Sequence, residues 1–360
     1  MKVLHVINNL GSGGAESMLL NFAKHVNGNA NSNVIIDILL LTDDKISYFI
    51  SKNVNIYVLS SSSVRWSFFK FIKLCRFIRD GKYDIVHSHL FPTQYYIGFC
   101  KLFLPKKVKI VTTEHNTTNT RRKFFITRFI DRKIYNLYDY IFFISDGVKK
   151  HFNKDYTTVK IPQKVIYNGI PLIKFKSKGS HNSDDKIKLI MVGSFSNQKD
   201  HETLIKALSL LPDSYTLSLI GEGKNLDKIK KMVEGLNMAK RVFFKGFVNN
   251  VEECYRKHDI FILSSHWEGF GLVVVEAMAS GLPVIASDVA GLKEVVKGAG
   301  LLFTQGNHTE LVKHIKKITM DDAFKKDLIN KGYERAKKYS ISNLTKETLT
   351  LYRKITNGVQ

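Results

Sequence analysis

Short apolar runs alternate with amphipathic segments along almost the whole chain. Residues 3–7, 34–41, 55–59, 84–87, 109–113 and 140–144 read as strands, and the gaps between them carry apolar positions at helical spacing. Alternation of this kind builds α/β domains with parallel sheets. A strand near 165–167 ends at Asn168-Gly-Ile-Pro171, and the polar stretch 174–186, rich in Gly, Ser, Asn and Asp, reads as a linker. A second strand series follows at 187–192, 216–221, 242–244, 259–263 and 283–286. The pattern predicts two doubly wound, Rossmann-like domains, 1–174 and 175–340. Residues 341–360 form a helical segment expected to pack back toward the first domain. Ligands of such sheets bind at the carboxyl ends of the strands, so the two domains are expected to face each other across a cleft.

Length and composition refine this picture. The chain has 360 residues, which suits two cores better than one. No apolar run reaches transmembrane length, and residues 1–8 read as a strand rather than a signal peptide. The three cysteines, Cys75, Cys100 and Cys254, show no metal or redox spacing and fit a reducing cytoplasm. Charge is the unusual property. The formal net charge is +23. Between Arg65 and Lys133 there are sixteen basic and four acidic residues, whereas the rest of the first 150 residues holds six of each. Nucleic acid, an anionic membrane and an anionic substrate are the partners such a region implies.

The candidate chemistry sits at strand ends. Glu268-Gly-Phe-Gly-Leu-Val-Val-Val-Glu276 follows one predicted strand and opens a helix. A glycine turn entering a helix leaves backbone N–H groups for a phosphate. Glu268 at the turn and Glu276 about two helical turns on would then hold hydroxyls on either side of a pyrophosphate, the layout of a nucleotide sugar. The alternative is that Glu276 is a solvated helix residue. Its neighbours Val273, Val274, Val275, Ala277, Met278 and Ala279 argue for a buried helix, in which a carboxylate needs a partner: a ligand or a structural Lys. The first strand ends in Gly11-Ser-Gly13-Gly14, either a tight turn or a ligand loop. His87 with His89, and Glu114 with His115, end two more strands; His115 is read as a cleft hydrogen-bond donor and His89 as a structural ring, while residue type also allows metal ligation, though no H-E-x-x-H or Cys cluster supports it. Gly193-Ser194 closes a strand, and Lys199 follows at a turn, where it meets solvent or a phosphate.

Together these segments resemble family 4 glycosyltransferases, retaining enzymes of the GT-B fold. Glu268 to Glu276 matches the family's E-x7-E signature. The resemblance implies that Glu276 holds the ribose hydroxyls and that Glu268 contacts the donor sugar. It implies that the backbone of Gly269, Phe270, Gly271 and Leu272 binds sugar and pyrophosphate. Lys199 matches the pyrophosphate lysine, with Gly193 and Ser194 beside it. Gly13 and Gly14 match a glycine loop that closes on the phosphates, and His115 matches a histidine near the transferred sugar. Glu268, Lys199 and His115 are thus the implied catalytic residues. Many members carry an Arg where this chain has Ser194. The implied activity is metal-independent transfer of a hexose or N-acetylhexosamine from a nucleotide sugar, a UDP-sugar by family frequency. No cofactor is implied.

The strongly basic segment 65–79 adds a location. Phe68, Phe71, Ile72, Cys75 and Ile78 form one stripe, expected to be core. Its basic flanks, with Trp66, Phe69 and the nearby Arg121-Arg-Lys-Phe-Phe125, would rest on anionic lipid. A lipid-linked glycan acceptor in capsule, O-antigen or related polysaccharide synthesis would make that useful, and the enzyme is expected at the inner face of the cytoplasmic membrane. Two other readings exist: a GT-B nucleotide-sugar 2-epimerase, and a basic nucleic-acid-binding protein. The first is disfavoured by E-x7-E. The second is disfavoured by bulky apolar residues among the basic ones and by the lack of a nucleic-acid motif, so no nucleic-acid partner is expected.

Overall fold

The computed structural model describes residues 1–11, 13–30, 32–42, 53–60, 68–175 and 186–358. The linker residues 176–185, with Gly179, Ser180, Asn182, Ser183, Asp184 and Asp185, and the start of the basic segment, Arg65 and Trp66, lie outside the described residues. In chain order the elements are β1 (Lys2–Ile7), α1 (Gly14–Asn27), β2 (Ile35–Leu40), β3 (Asn55–Val58), α2 (Phe68–Asp80), β4 (Ile85–His89), α3 (Thr93–Cys100), β5 (Lys109–Glu114), α4 (Phe125–Tyr135), β6 (Tyr140–Phe143), α5 (Asp146–Asp155) and β7 (Gln163–Val165). There follow β8 (Ile187–Val192), α6 (His201–Ser209), β9 (Tyr215–Ile220), α7 (Leu226–Gly235), β10 (Val242–Phe244), α8 (Val251–Arg256), β11 (Ile260–Leu263), α9 (Leu272–Ala279), β12 (Val284–Ser287), α10 (Leu292–Val296), β13 (Leu301–Phe303), α11 (His308–Met320), α12 (Asp322–Lys338) and α13 (Ile341–Thr356).

The chain divides into two compact units, Met1–Gly169 with Ile341–Gln360, and Ile170–Ser340. The division falls at Gly169, ahead of residue 174, because Ile170 already bridges to Ser340 at the far end of the second unit. The first unit is built on a seven-stranded sheet, β3-β2-β1-β4-β5-β6-β7, and the second on a six-stranded sheet, β10-β9-β8-β11-β12-β13. Every pairing in both sheets is parallel. Strand order reverses between β1 and β4 and between β8 and β11. The loops leaving those strands open a crevice at the strand carboxyl ends, where α/β sheets bind ligands.

Parallel strands covered by helices are buried on both faces and read as continuous apolar runs. β11, Ile-Phe-Ile-Leu, fits that description, and β9 is buried along its whole length although it carries Thr216 and Ser218. β1 and β4 depart from it. His5 stands in the buried strand Lys-Val-Leu-His-Val-Ile, and His87 and His89 stand in the fully buried strand Ile-Val-His-Ser-His. Register sets His5 directly beside His87 and His89 beside Thr113. α13 returns to the first unit and packs on α1.

Two surface expectations change. The inward face of α2 is Phe71, Leu74, Cys75, Phe77 and Ile78, of which Leu74 and Ile78 are fully buried. Phe68 and Ile72, expected in the core stripe, are exposed. Phe68 opens the helix, one turn before its packed region begins, and Ile72 lies off the Leu74–Ile78 row. Arg122, expected among lipid-facing groups, is buried. It pairs with Glu114 at 3.1 Å and Asp155 at 3.6 Å. Arg121 lies over the Phe91 ring at 4.0 Å and pairs with Asp131 at 3.2 Å. The cysteines scattered along the sequence include one close pair: the Sγ atoms of Cys75 and Cys100 are 2.8 Å apart.

Candidate functional site

In the second unit the turns after β8 and β11 are tied together. Asp200 N–H donates to Ser264 O at 2.9 Å, and His266 N–H donates to Gln198 O at 2.8 Å. Asp200 also caps α6 through Thr203 N–H. This lacing sets Lys199 against Glu268: the Lys199 ammonium donates to a Glu268 carboxylate oxygen, with both side chains largely buried. Gln198 Nε2 reaches the other Glu268 oxygen at 3.3 Å. Lys199 is therefore an ion-paired side chain rather than a solvated one.

Glycines let the backbone crowd here. A Cβ on Gly291 would lie 2.5 Å from Glu268 O and 2.7 Å from Gly269 O, and Gly291 has φ +86. The β12–α10 turn thus lies directly against the Glu268–Gly269 turn. Gly271 has φ +87, a left-handed conformation costly for residues with a Cβ. It is the N-cap of α9 and supplies no side-chain cap, so the N–H groups of the first turn carry the partial positive charge of a helix N-terminus. Leu272 is the first residue of that turn. Phe270 is buried and packs edge-on against Tyr339, with ring centroids 5.0 Å apart. Gly193 lies beside Lys199, whose Cε is 3.3 Å from the position a Cβ would take. Ser194 is exposed, and its Oγ lies 3.1 Å from Ser196 Oγ.

Glu276 lies one turn further along α9 from Leu272. Its carboxylate accepts from the Tyr255 hydroxyl at 3.0 Å. Burial raises its pKa to about 7, with the Tyr255 hydrogen bond and the Lys174 charge acting in the opposite direction. This carboxylate thus has a protein partner. Tyr255 carries no local signal in the sequence: it looks like an ordinary aromatic on the short helix α8.

In the first unit, Gly13 caps α1 without a side-chain bond, and Gly14 begins the helix. The Glu16 carboxylate folds back over Gly13, so a Cβ there would collide with it. Burial raises the Glu16 pKa. His115 follows β5 directly and is largely buried, with Nε2 3.1 Å from His89 Nδ1. Burial lowers its pKa to about 4, so the ring is neutral at ordinary pH. Of the sequence-derived candidates, Lys199, Glu268, Gly269 and Gly193 form one contact group, while Glu276 forms its own with Tyr255. Gly13, Gly14 and His115 belong to the first unit.

Comparison with known proteins agrees with this architecture. Residues 12–173 match the family model Glycosyltransferase Family 4, and residues 173–335 match Glycosyl transferases group 1. An uncharacterized glycosyltransferase of Methanocaldococcus jannaschii is 30% identical over 263 residues, 71% of each chain. A relative from Campylobacter jejuni is 26% identical over 371 residues, covering 95% of this chain and 97% of its own. It is N-acetylgalactosamine-N,N'-diacetylbacillosaminyl-diphospho-undecaprenol 4-alpha-N-acetylgalactosaminyltransferase. The crystal structure of Anabaena HepE in complex with UDP and glucose superposes with a TM-score of 0.85 at 20% identity, over 98% of this chain and 99% of that one. With two parallel Rossmann-like sheets and both family models matched in succession, the chain belongs to glycosyltransferase family 4 and has the GT-B fold.

Proposed function

We propose that this glycosyltransferase is a retaining, metal-independent enzyme that transfers a hexose or N-acetylhexosamine from a UDP-sugar to a lipid-linked glycan acceptor. The observation that carries the reading is the pairing of Lys199 with Glu268 beside the N-terminus of α9. A pyrophosphate placed there would draw the Lys199 ammonium from Glu268 and accept the N–H groups of Leu272 and its neighbours. Glu268, released, would accept hydroxyls of the donor sugar. Negative charge grows on the leaving nucleoside diphosphate in the transition state, and a fixed cation with preorganised N–H donors stabilises it where water is excluded. Ser194 adds no charge, so Lys199 and the helix end carry that task. Glu276 would exchange its Tyr255 partner for the ribose hydroxyls. Gly13 and Gly14 would close on the phosphates, and His115 would donate to the transferred sugar. No side chain is assigned as a covalent nucleophile; the acceptor would attack from the face that the leaving group departs.

A UDP donor is supported by the UDP bound in the Anabaena structure, and a lipid-linked acceptor by the undecaprenol-linked substrate of the Campylobacter relative. A peripheral position at the inner membrane face is supported by exposed side chains on α2 and around α4. Phe69, Phe124, Phe125, Ile126 and Phe129 are each more than half exposed. Lys73, Arg76, Arg79 and Lys133 are exposed on the same helices. Among the described residues no helix is long and apolar enough to cross a membrane. Turnover of UDP-sugars with an undecaprenol-linked acceptor in excess EDTA, with the product's anomeric configuration read by NMR, tests the chemistry. Sustained turnover with the donor's configuration kept is expected. Loss on chelation that Mg²⁺ or Mn²⁺ restores, or inverted product, would contradict it.

A further inference from the structure

Three histidines stand in the buried strands β1 and β4, where a polar ring is costly unless hydrogen-bonded. They join a single chain of contacts in the first unit. Thr113 Oγ1 lies 2.7 Å from His87 Nε2. His87 Nδ1 lies 2.5 Å from the Tyr352 hydroxyl, which is 3.2 Å from His5 Nε2. His5 Nδ1 lies 2.8 Å from His89 Nε2, and His89 Nδ1 lies 3.1 Å from His115 Nε2. All six ring nitrogens of His5, His87 and His89 are engaged. Burial holds the pKa of His5 at about 3 and those of His87 and His89 well below the usual histidine range, so the rings are neutral. A neutral imidazole has one donor and one acceptor nitrogen. The Tyr352 hydroxyl could accept from both of its histidines only by leaving its own buried proton unpaired, which is costly, so the protons in this chain all point one way.

One end sets the direction. Thr113 is buried, and among the described residues its hydroxyl has His87 Nε2 as its only hydrogen-bond partner. A buried hydroxyl proton left unpaired is costly, so Thr113 donates. His87 then donates from Nδ1 to Tyr352, and Tyr352 donates to His5 Nε2. His5 donates from Nδ1 to His89, and His89 donates from Nδ1 to His115 Nε2. The His115 proton is left on Nδ1. We propose that Thr113, His87, Tyr352, His5 and His89 are positioning residues whose one-way hydrogen-bond chain fixes His115 as an Nδ1–H donor toward the transferred sugar. The sugar contact rests on the function proposed above; the tautomer does not.

A metal ion is the competing occupant, since ligand atoms of His5, His87 and His89 lie within 4.8 Å of one another. The rings are stacked, however. His5 and His89 are 11° from parallel, and His87 and His89 are 22°. Near-parallel rings aim their lone pairs side by side rather than at one point.

The test is two-bond ¹H–¹⁵N correlation on protein labelled in its histidine rings, which separates protonated from bare nitrogens. The wild type is expected to carry the proton on Nδ1 in His5, His87, His89 and His115, against the solution preference for Nε2. Thr113→Val removes the terminal donor and is expected to give mixed tautomers at His115. It should lower kcat about tenfold, the scale of one hydrogen bond, with donor KM little changed. Thr113→Ser keeps the hydroxyl and should restore the wild-type spectrum and rate. An Nε2 proton on any of the four rings, a Thr113→Val spectrum identical to wild type, or stoichiometric Zn²⁺ uptake that His5→Gln abolishes would overturn the chain. Tautomers that shift in Thr113→Val with turnover unchanged would uphold the chain and overturn the role given to His115.

Discussion

The role proposed for Glu276 would link burial of one side chain to binding. In the free protein its carboxyl has a pKa of about 7, so near neutrality it is partly protonated and held by Tyr255. In the proposed donor site the ribose hydroxyls need Glu276 as an acceptor, so binding would favour the carboxylate. By linkage, affinity for a UDP-sugar should be flat above about pH 8 and fall as pH drops through about 7, approaching tenfold per unit. Glu276→Gln should weaken binding by roughly 1.5–3 kcal/mol, the range for a hydrogen bond to a charged group, and remove the pH dependence. Calorimetry at several pH values reads both effects. Unchanged affinity in a folded variant would make Glu276 a structural residue. This carboxylate and Glu268 were legible in the sequence because the signature is local: a strand, a glycine turn and a helix within some twenty residues. Tyr255 was not, because a hydroxyl that meets α9 from α8 leaves no trace in spacing.

At the scale of elements, the histidine-bearing strands make the fold sensitive to acid. Unfolded histidines take up protons below about pH 6.5, whereas His5 does so near 3 and His115 near 4 when folded. The unfolded state then binds more protons, so stability falls with pH from about 6.5 downward, by about 1.4 kcal/mol per unit for each such ring. Glu276 acts in the opposite sense, as its raised pKa favours the folded state as pH falls from 7 toward the unfolded value. Glu16, also raised by burial, acts with it, but six histidines are lowered, His201 and His258 among them, against these two carboxyls, so the histidines win. The urea midpoint should drop between about pH 7.5 and 5.5; a level or rising midpoint would contradict this. The helices α2 and α4 make a separate prediction. Phe69 of α2 and Phe124, Phe125 and Phe129 at α4 face outward while Arg121 and Arg122 turn inward, so apolar contact is expected to carry more of the membrane binding than the basic sequence implied. Changing Phe124, Phe125 and Phe129 to Ser should weaken sedimentation with anionic vesicles at least tenfold. Wild-type binding should fall with salt, since the exposed charges are screened. Equal binding to neutral vesicles, or none at low salt, would remove the membrane claim.

Across the whole molecule, the two-unit α/β architecture was readable because short, mostly apolar runs alternate with amphipathic segments on both sides of a polar stretch. The edges were harder. β7 begins with Gln163 and Lys164 and was placed two residues late, and β13 has only three residues. The histidine chain was hidden by distance, as His5 and Tyr352 are 347 positions apart and only the return of α13 to the first unit joins them. The proposed donor site, by contrast, draws Lys199, Glu268 and Glu276 from neighbouring segments of the second unit, and its assignment is the central claim. Isothermal titration of wild-type protein with UDP-, GDP- and ADP-sugars in EDTA, repeated with Glu276→Gln and Lys199→Ala, tests it most directly. The account predicts binding of a UDP-sugar without metal, little binding of the GDP- and ADP-sugars, and loss of affinity in both variants. Wild-type affinity in both folded variants, or no UDP-sugar binding without added metal, would contradict it.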